Sequence, residues 1–430
     1  MSSHNAVHRP DMAKHTGPGP GPGPNPDSDP DPIAYETEVY QKGLHYEKPP
    51  FTFQPLKWEE MAMARMSAES AGYVVGSAGI GETALKNRKA FEKWSIVPRR
   101  LVGTERFPDL SVKVLGGQRI PFPVAAAPVG VLRIFNPDGE VAVARACEKC
   151  RIPYIMSTAS STSIEEAAKA NGDGVRWFQL YWPSRESDST TISMLNRAKA
   201  AGFTALFVTL DTYVLGWRPS DMDNGYNPFL RSDQIGVAVG FSDPGFREQF
   251  KDKHGVEVEE DQGKAAAEWT RTIFPGMSHS WDDVKFLQKH WDGPIVLKGI
   301  QTAQDALMAA EIGVQGIVVS NHGGRQVDGG VGSLSVLPGI VDAVGDKLEV
   351  IFDSGIRTGA DIAKAVALGA KMVLVGRPYT YGLVLGGEEG VTHTLRALCG
   401  DLDLTLHLAG IKSVSKEHLN RSVLVREDGM

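Results

Sequence analysis

His322 and Arg325 share one short stretch, VVSNHGGRQVDGG (Val318–Gly330), set among glycines directly after the apolar run Gly316–Val319. A histidine can take up a proton near neutral pH. An arginine offers a planar cationic fork that suits a carboxylate or phosphate. A turn after a strand needs a glycine or two, whereas this one presents a base and an anion clamp together. Other apolar runs also end in polar or small groups: Pro128-Val129-Gly130, Ser157, Gln179 and Tyr181 in WFQLYWP, and Thr209 and Asp211 in VTLDT. The same holds for Lys298 in PIVLKGI, Asp353, Ser354, Gly355 and Arg357 in DSGIRTG, and Gly376 and Arg377 in VGRP. A lysine closing an apolar run is costly without a partner. It suits either a Schiff-base nucleophile or a fixed cation beside a cofactor ring that becomes anionic.

These residues need elements to bring them together. Short apolar runs recur near Pro123–Pro128, Pro153–Ser157, Trp177–Tyr181, Ala205–Leu210, Pro294–Lys298, Gly316–Val319, Val350–Asp353 and Met372–Val375. Helical patterns lie between most of them, at Gly139–Lys149, Ile164–Asn171, Thr190–Ala201, Thr302–Ile312 and Gly359–Leu368. Strand and helix alternating eight times predict an α/β fold, a closed (β/α)8 TIM barrel rather than an open sheet. Active sites of such barrels sit at the C-terminal ends of the strands, where all the polar groups above fall. Loops after the seventh and eighth strands commonly hold phosphate, which assigns Arg357 and Arg377 to a phosphorylated ligand.

The rhythm breaks between Leu210 and Pro294, which predicts an insertion after strand four, residues 211–281, forming a rim loop or lid. Residues 1–32 contain GPGPGPGPNPDSDPDP, which cannot build a core and is expected to be a disordered leader. Residues 33–430 form the barrel domain in this reading. PLKWEEMAMARMSAESAGYVV reads as one helix ending near Gly72.

Composition excludes several classes. The 430 residues are 42% hydrophobic with a formal net charge of -7, enough for a large core and no basis for binding nucleic acid. No apolar run reaches roughly 18 residues, so no membrane span is expected. The N-terminus lacks the pattern of a secretory signal, and a cytoplasmic location is expected. Cys147 and Cys150 form a C-x-x-C without a second ligand pair, so they read as thiols on a helix end, and no metal site is expected.

Taken together, SNHGGRQVDG, FQLYWP, VTLDT, PIVLKG, DSGIRTG and LVGRP resemble the FMN-dependent L-2-hydroxy acid oxidases and dehydrogenases, over about Trp58–Leu424. ALKNRKAFEKW matches the family's N-terminal segment and puts Tyr73 at its substrate-tyrosine position. APVG, LGWRPSDMDNGYNPFLR, HSWDDVKFLQKHWDGPIVLKGI and the long insertion resemble the lactate 2-monooxygenase branch. The resemblance implies FMN as cofactor, His322 as general base and Asp211 as its orienter. Arg218, Arg325, Tyr73 and Tyr181 would bind the substrate. Gln179, Thr209 and Lys298 would meet the pyrimidine side of the flavin, with Pro128, Val129, Gly130 and Ser157 facing the ring. Asp353 would hold the ribityl chain, Gly355, Arg357, Gly376 and Arg377 the phosphate, with Ser320 and Ser354 as further contacts. Ser354 stands where a glycine is frequent, and the Pro/Gly leader is not a family feature.

The expected reaction is oxidation of a small L-2-hydroxy acid, L-lactate first, with O2, giving acetate, CO2 and water. The alternatives are an oxidase releasing keto acid and hydrogen peroxide, a dehydrogenase with another acceptor, a Schiff-base aldolase, or a non-catalytic FMN-binding barrel. Gly130 is expected to leave room beside the flavin for larger acids. A homo-oligomer, a tetramer by resemblance, is expected, with no nucleic-acid or membrane partner.

Overall fold

The computed structural model describes residues 33–104, 107–230 and 235–427; the Pro/Gly leader, residues 1–32, lies outside them. The eight apolar runs become parallel strands: β1 Val124–Ala126, β2 Tyr154–Ser157, β3 Arg176–Tyr181, β4 Leu206–Thr209, β5 Ile295–Ile300, β6 Gly316–Val319, β7 Glu349–Phe352 and β8 Met372–Val375. They pair in chain order, and β8 closes onto β1 through Val373↔Val124, Leu374↔Ala125 and Val375↔Ala126. Nearly every strand residue is buried, as expected where a parallel sheet is covered on both faces. That double burial is why these segments read as continuous apolar runs rather than as an alternation.

The barrel helices are α1 Gly139–Cys150, α2 Ile164–Ala170, α3 Asp188–Ala200, α4 Val284–His290, α5 Ala303–Glu311, α6 Ser333–Val344, α7 Gly359–Ala367 and α8 Arg377–Ala409. Several starts are written in the caps. Ser163 accepts from Glu166 N, Thr302 from Asp305 N, and Thr358 forms a capping box with Asp361. α6 is absent from the sequence-based expectation because Pro338 and Gly339 sit inside it and weaken the pattern. Burial of Leu334, Leu337, Ile340 and Val344 on one face offsets that defect. α8 leaves helical geometry at Gly386 and Gly387, so it is two helical segments in line of sequence.

One expectation is corrected. PLKWEEMAMARMSAESAGYVV is two helices, Pro55–Met63 and Ala68–Val75. Ser67 accepts from Ser70 N and restarts the helix, which runs through Gly72 to Val75. A further helix, Glu82–Glu92, precedes the barrel and lies against the turn after β6. At the opposite end, a hairpin of Val112–Val114 with Gln118–Ile120 meets the strand starts, where Leu115 N donates to Glu349 Oε2 at 2.9 Å.

Between β4 and α4 lie Pro219–Asp223, Pro244–His254 and Gln262–Ile273. Phe246, Phe250 and Trp269 give this insertion a core of its own. Asp243 caps its helix, is fully buried, and pairs with Arg197 of α3 at 3.0 Å. Removing the arginine would strand a buried carboxylate, a loss of about 3–5 kcal/mol. The insertion is thus fastened to the barrel wall.

Candidate active site

The C-terminal strand ends surround a cleft of about 140 Å³, on the face of the barrel where small-molecule sites lie. Of the residues named from sequence, Tyr73, Pro128, Val129, Gly130, Tyr181, Arg218, Lys298, His322 and Arg325 line it, as do Asp353, Ser354, Gly355, Arg357, Gly376 and Arg377. Asp211, Ser157, Gln179, Thr209 and Ser320 stand behind this wall and reach it through hydrogen bonds.

His322 Nδ1 lies 2.8 Å from Asp211 Oδ1, which leaves Nε2 as the nitrogen available for substrate. Thr212 donates to the same Asp211 oxygen at 2.7 Å and lies 3.1 Å from His322 Nδ1. Burial holds the imidazole pKa below its ordinary value; Asp211 opposes this, and the Lys298 and Arg218 charges add to it. Burial works against the Asp211 carboxylate too, but Lys298 and His322 outweigh it and hold its pKa well below the usual carboxylate range. Lys298 is buried, donates to Ser320 Oγ at 3.0 Å, and lies 3.4 Å from Asp353 and 3.8 Å from Asp211. Burial opposes its charge, yet the two carboxylates outweigh burial and keep it a cation. A Schiff-base nucleophile needs a lysine driven towards its neutral form. Lys298 is driven the other way.

Behind Lys298 the strand register aligns a buried amide network. Thr209 is the partner of Lys298 across β4 and β5, and Ser157 the partner of Gln179 across β2 and β3. Ser157 Oγ donates to Gln179 Oε1 at 3.0 Å, and Gln179 Nε2 donates to Thr209 Oγ1 at 2.9 Å.

The arginines sit differently. Arg218 donates from Nε to Arg325 O at 3.0 Å and from Nη2 to Gln326 Oε1 at 2.8 Å. Arg325 donates to the carbonyls of Tyr73 and Gly76, and its guanidinium lies 4.9 Å from the centre of the Tyr73 ring. Burial, with Arg218 and Arg377 close by, pushes the Arg325 pKa down to about 9. Arg377 donates to the carbonyls of Val74, Gly323 and Gly76 at 2.8, 3.1 and 3.1 Å. It opens α8, whose N-terminus, with Gly376 as its cap, faces the cleft. Arg357 donates to Ile356 O at 2.9 Å, and burial depresses its pKa. Cations at a helix N-terminus make a site that calls for an anion.

The reading of Gly130 is corrected. A Cβ there would lie 2.7 Å from Ala159 O and 2.8 Å from Ala159 Cβ. The glycine lets the loops after β1 and β2 touch; the space beside it is filled by Ala159 and offers no room for a larger acid. Several working residues carried no role in the sequence reading. Gln326 fastens Arg218 to Asp211 O and Val214 O, and its signal was its place right after Arg325. Buried Glu140 accepts from Leu132 N, Ser161 and Thr162, pinning the loops after β1 and β2. Leu215, Phe229 and Phe274 come from the insertion and line the cleft, with Phe274 packed 5.0 Å from the Tyr181 ring and 5.4 Å from that of Phe229.

Cys147 and Cys150 lie buried and unpaired on α1; burial raises both thiol pKa values, that of Cys150 to about 12, so neither is a reactive thiolate. Among the described residues no helix is long and apolar enough to cross a membrane.

The family model of the FMN-dependent dehydrogenases matches residues 62–426, and the chain belongs to that family. It is 62% identical to an FMN-dependent alpha-hydroxy acid dehydrogenase of Schizosaccharomyces pombe, over 92% of this chain and 97% of the relative. It is 38% identical to an L-lactate oxidase of Lysinibacillus sphaericus, over 89% of this chain and 94% of the relative. A crystal structure of mandelate oxidase superposes with a TM-score of 0.72 at 35% identity, covering 85% of this chain and 96% of that one. The chain is an FMN-dependent alpha-hydroxy acid oxidoreductase. The site fits that cofactor. A buried lysine held as a cation, an apolar wall of Ala127, Val129, Leu374 and Val375, and two arginines by a helix N-terminus form one cleft.

Proposed function

We propose that this enzyme oxidises a small L-2-hydroxy acid, L-lactate first, with O2 as electron acceptor and by the monooxygenase route. The observation that carries the acid chemistry is the pairing of His322, held by Asp211, with two arginines, buried Arg218 and half-buried Arg325, in one cleft. In this reading Arg218 and Arg325 take the substrate carboxylate, and Tyr73 and Tyr181 donate hydroxyl hydrogen bonds to it and to the 2-hydroxyl oxygen. His322 Nε2 receives a substrate proton, and Asp211 stabilises the resulting imidazolium. The chemistry supplied by bound FMN is acceptance of the substrate's two electrons. Gln179, Thr209 and Lys298 would hold its pyrimidine side, where the Lys298 charge favours the reduced form. Pro128, Val129, Gly130, Ser157 and Ser320 would adjoin the ring, Asp353 and Ser354 the ribityl chain, and Gly355, Arg357, Gly376 and Arg377 the phosphate.

The monooxygenase route requires pyruvate to stay beside the hydrogen peroxide formed from O2. The two then give acetate, CO2 and water. The insertion that places Leu215, Phe229 and Phe274 over the cleft supports this retention. A second reading, a dehydrogenase passing electrons to another acceptor, is favoured by the name of the Schizosaccharomyces pombe relative. The proposal also includes a cytoplasmic homo-oligomer, tetrameric by resemblance.

The test is anaerobic addition of L-lactate to the yellow holoprotein, followed by air. Bleaching, then acetate without free peroxide, is the expected result. Pyruvate with stoichiometric peroxide would make it an oxidase. Bleaching that air reverses only slowly would favour the dehydrogenase. A spectrum unmoved by lactate and by longer 2-hydroxy acids would overturn the catalytic reading.

A further inference from the structure

The turn that carries His322 has three successive residues in the left-handed region: His322 at φ 58°, Gly323 at 66° and Gly324 at 77°. Two are glycines, which adopt it freely; the histidine is not and does so under strain. The turn closes on itself through Gly324 N to Asn321 O at 3.0 Å and Arg325 N to His322 O at 3.3 Å, which leaves the N–H groups of His322 and Gly323 in need of other acceptors. Side chains provide them. His322 N donates to Ser320 Oγ at 3.1 Å, Gly323 N to Ser354 Oγ at 3.0 Å, and Gly324 N to Asn321 Oδ1 at 3.1 Å.

Ser354 is the unusual member of this set. It sits at φ 83°, a backbone conformation that favours glycine, and it is buried at the cleft wall. Its hydroxyl donates to Asp353 Oδ1 at 2.7 Å while accepting from Gly323 N. Asp353 in turn faces Lys298 at 3.4 Å. One hydroxyl therefore joins the turn of the base to the carboxylate that partners the buried lysine. A glycine would fit the backbone better and would make none of these bonds.

We infer that Ser354 is a positioning residue for the base: its hydroxyl holds the left-handed His322 turn and orients Asp353 towards Lys298. This rests on the reading of His322 as base. The hydroxyl acts through the turn, and the strain at Ser354 is the cost of placing an acceptor there.

The experiment compares Ser354→Gly and Ser354→Ala holoenzymes with the wild type in anaerobic bleaching by L-lactate and by 2-deuterio-L-lactate, with thermal melting and the flavin spectrum alongside. Glycine relieves the backbone strain and removes the hydroxyl; alanine removes the hydroxyl and keeps the strain. The expected result is bleaching slowed about 10-fold at saturating acid in both variants, with half-saturation within about 3-fold of wild type. The deuterium isotope effect should be undiminished, because the slowed step is the chemical one. Ser354→Gly should melt no lower than wild type, and Ser354→Ala lower. A wild-type rate in Ser354→Gly overturns the inference, since the hydroxyl would then be dispensable. Loss of FMN from both variants also overturns it, because the hydroxyl would then serve only the ribityl contact proposed for Ser354 and not the His322 turn. Wild-type protein that no 2-hydroxy acid bleaches sinks the reading beneath it instead.

Discussion

The two ends of the cleft handle charge in opposite ways. At the base end every charge faces an opposite one: Lys298 faces both Asp211 and Asp353, and Asp211 also holds the His322 ring. At the arginine end the guanidinium groups bond mainly to backbone carbonyls and amides, and a single carboxylate, Asp221, lies 3.9 Å from Arg218. Arg325 and Arg377 both donate to Gly76 O, and Arg218 bonds to Arg325 O and Gln326. Carbonyl dipoles fix the direction of a guanidinium without cancelling its charge. The depressed pKa values of Arg325 and Arg357 have burial as their main cause and neighbouring cations as an added one. One end is balanced and can move a proton with little electrostatic disturbance. The other holds a positive potential that a carboxylate and a phosphate would discharge. The comparison separates the steps: rate belongs to the first end and affinity to the second.

The largest expected effect tests the balanced end. His322→Asn keeps a small polar side chain and removes the base. Anaerobic bleaching by L-lactate should slow by about 10²–10⁴-fold, with little change in half-saturation. A variant that bleaches at the wild-type rate would break the division, because the proton would then have another acceptor. The wild-type pH profile sharpens it. Burial and the nearby cations lower the His322 pKa, and in the proposed function the free imidazole is the active form. Activity therefore falls as pH drops through a pKa below the ordinary histidine value, so the acid limb should lie on the acidic side of about 6.5. An acid limb above that value would show that Asp211 outweighs burial.

The next effect tests the arginine end. Arg325→Met removes a half-buried cation facing the cleft and should weaken binding of 2-methyl-lactate, which lacks the hydrogen that oxidation removes. Loss of a buried charged partner costs about 2–5 kcal/mol, roughly 30-fold or more in Kd. In the wild type, carboxylate binding needs the charged arginine. The guanidinium keeps its charge across the working pH range, so affinity should be flat through neutral pH. Flavin perturbation titrations measure both. An unchanged Kd in Arg325→Met would assign the carboxylate to Arg218 alone.

The same contrast explains what was legible in the sequence. The base end was readable because β strands put period and burial into the chain. Lys298, Asp211 and His322 each follow an apolar run, and strand register then brings Thr209 opposite Lys298. The helix α6 was not readable, because Pro338 masks the apolar face that Leu334, Leu337 and Ile340 share. The supports of the site were missed for another reason. Asn87 sits in a helix ahead of the barrel, yet its amide exchanges hydrogen bonds with that of Asn321 at 2.8 and 2.7 Å. A contact between segments so far apart in sequence leaves no local pattern. Gly130 was misread because a missing side chain in the sequence says nothing about which neighbour fills the gap; here it is Ala159.

The smallest expected effect concerns the wall between the two ends. Phe274 follows the last helix of the insertion and packs against both Tyr181 and Phe229, so it couples the rim to a tyrosine that lines the cleft. Its ring carries no charge, so neither proton transfer nor carboxylate affinity should depend on it strongly. What it controls is the space left for the side chain of the acid. Phe274→Ala opens that space, and a hydrophobic pocket discriminates by only about 1–3 kcal/mol per methylene. The ratio of kcat/KM for 2-hydroxyhexanoate over L-lactate should therefore rise by about 10-fold, with a modest fall in melting temperature. On the proposed monooxygenase route the variant should also release more pyruvate and peroxide relative to acetate, because its cover over the cleft is thinner. An unchanged substrate ratio together with an unchanged product ratio would remove the insertion from both roles, leaving selectivity to Tyr73, Tyr181 and the arginines proposed to hold the carboxylate.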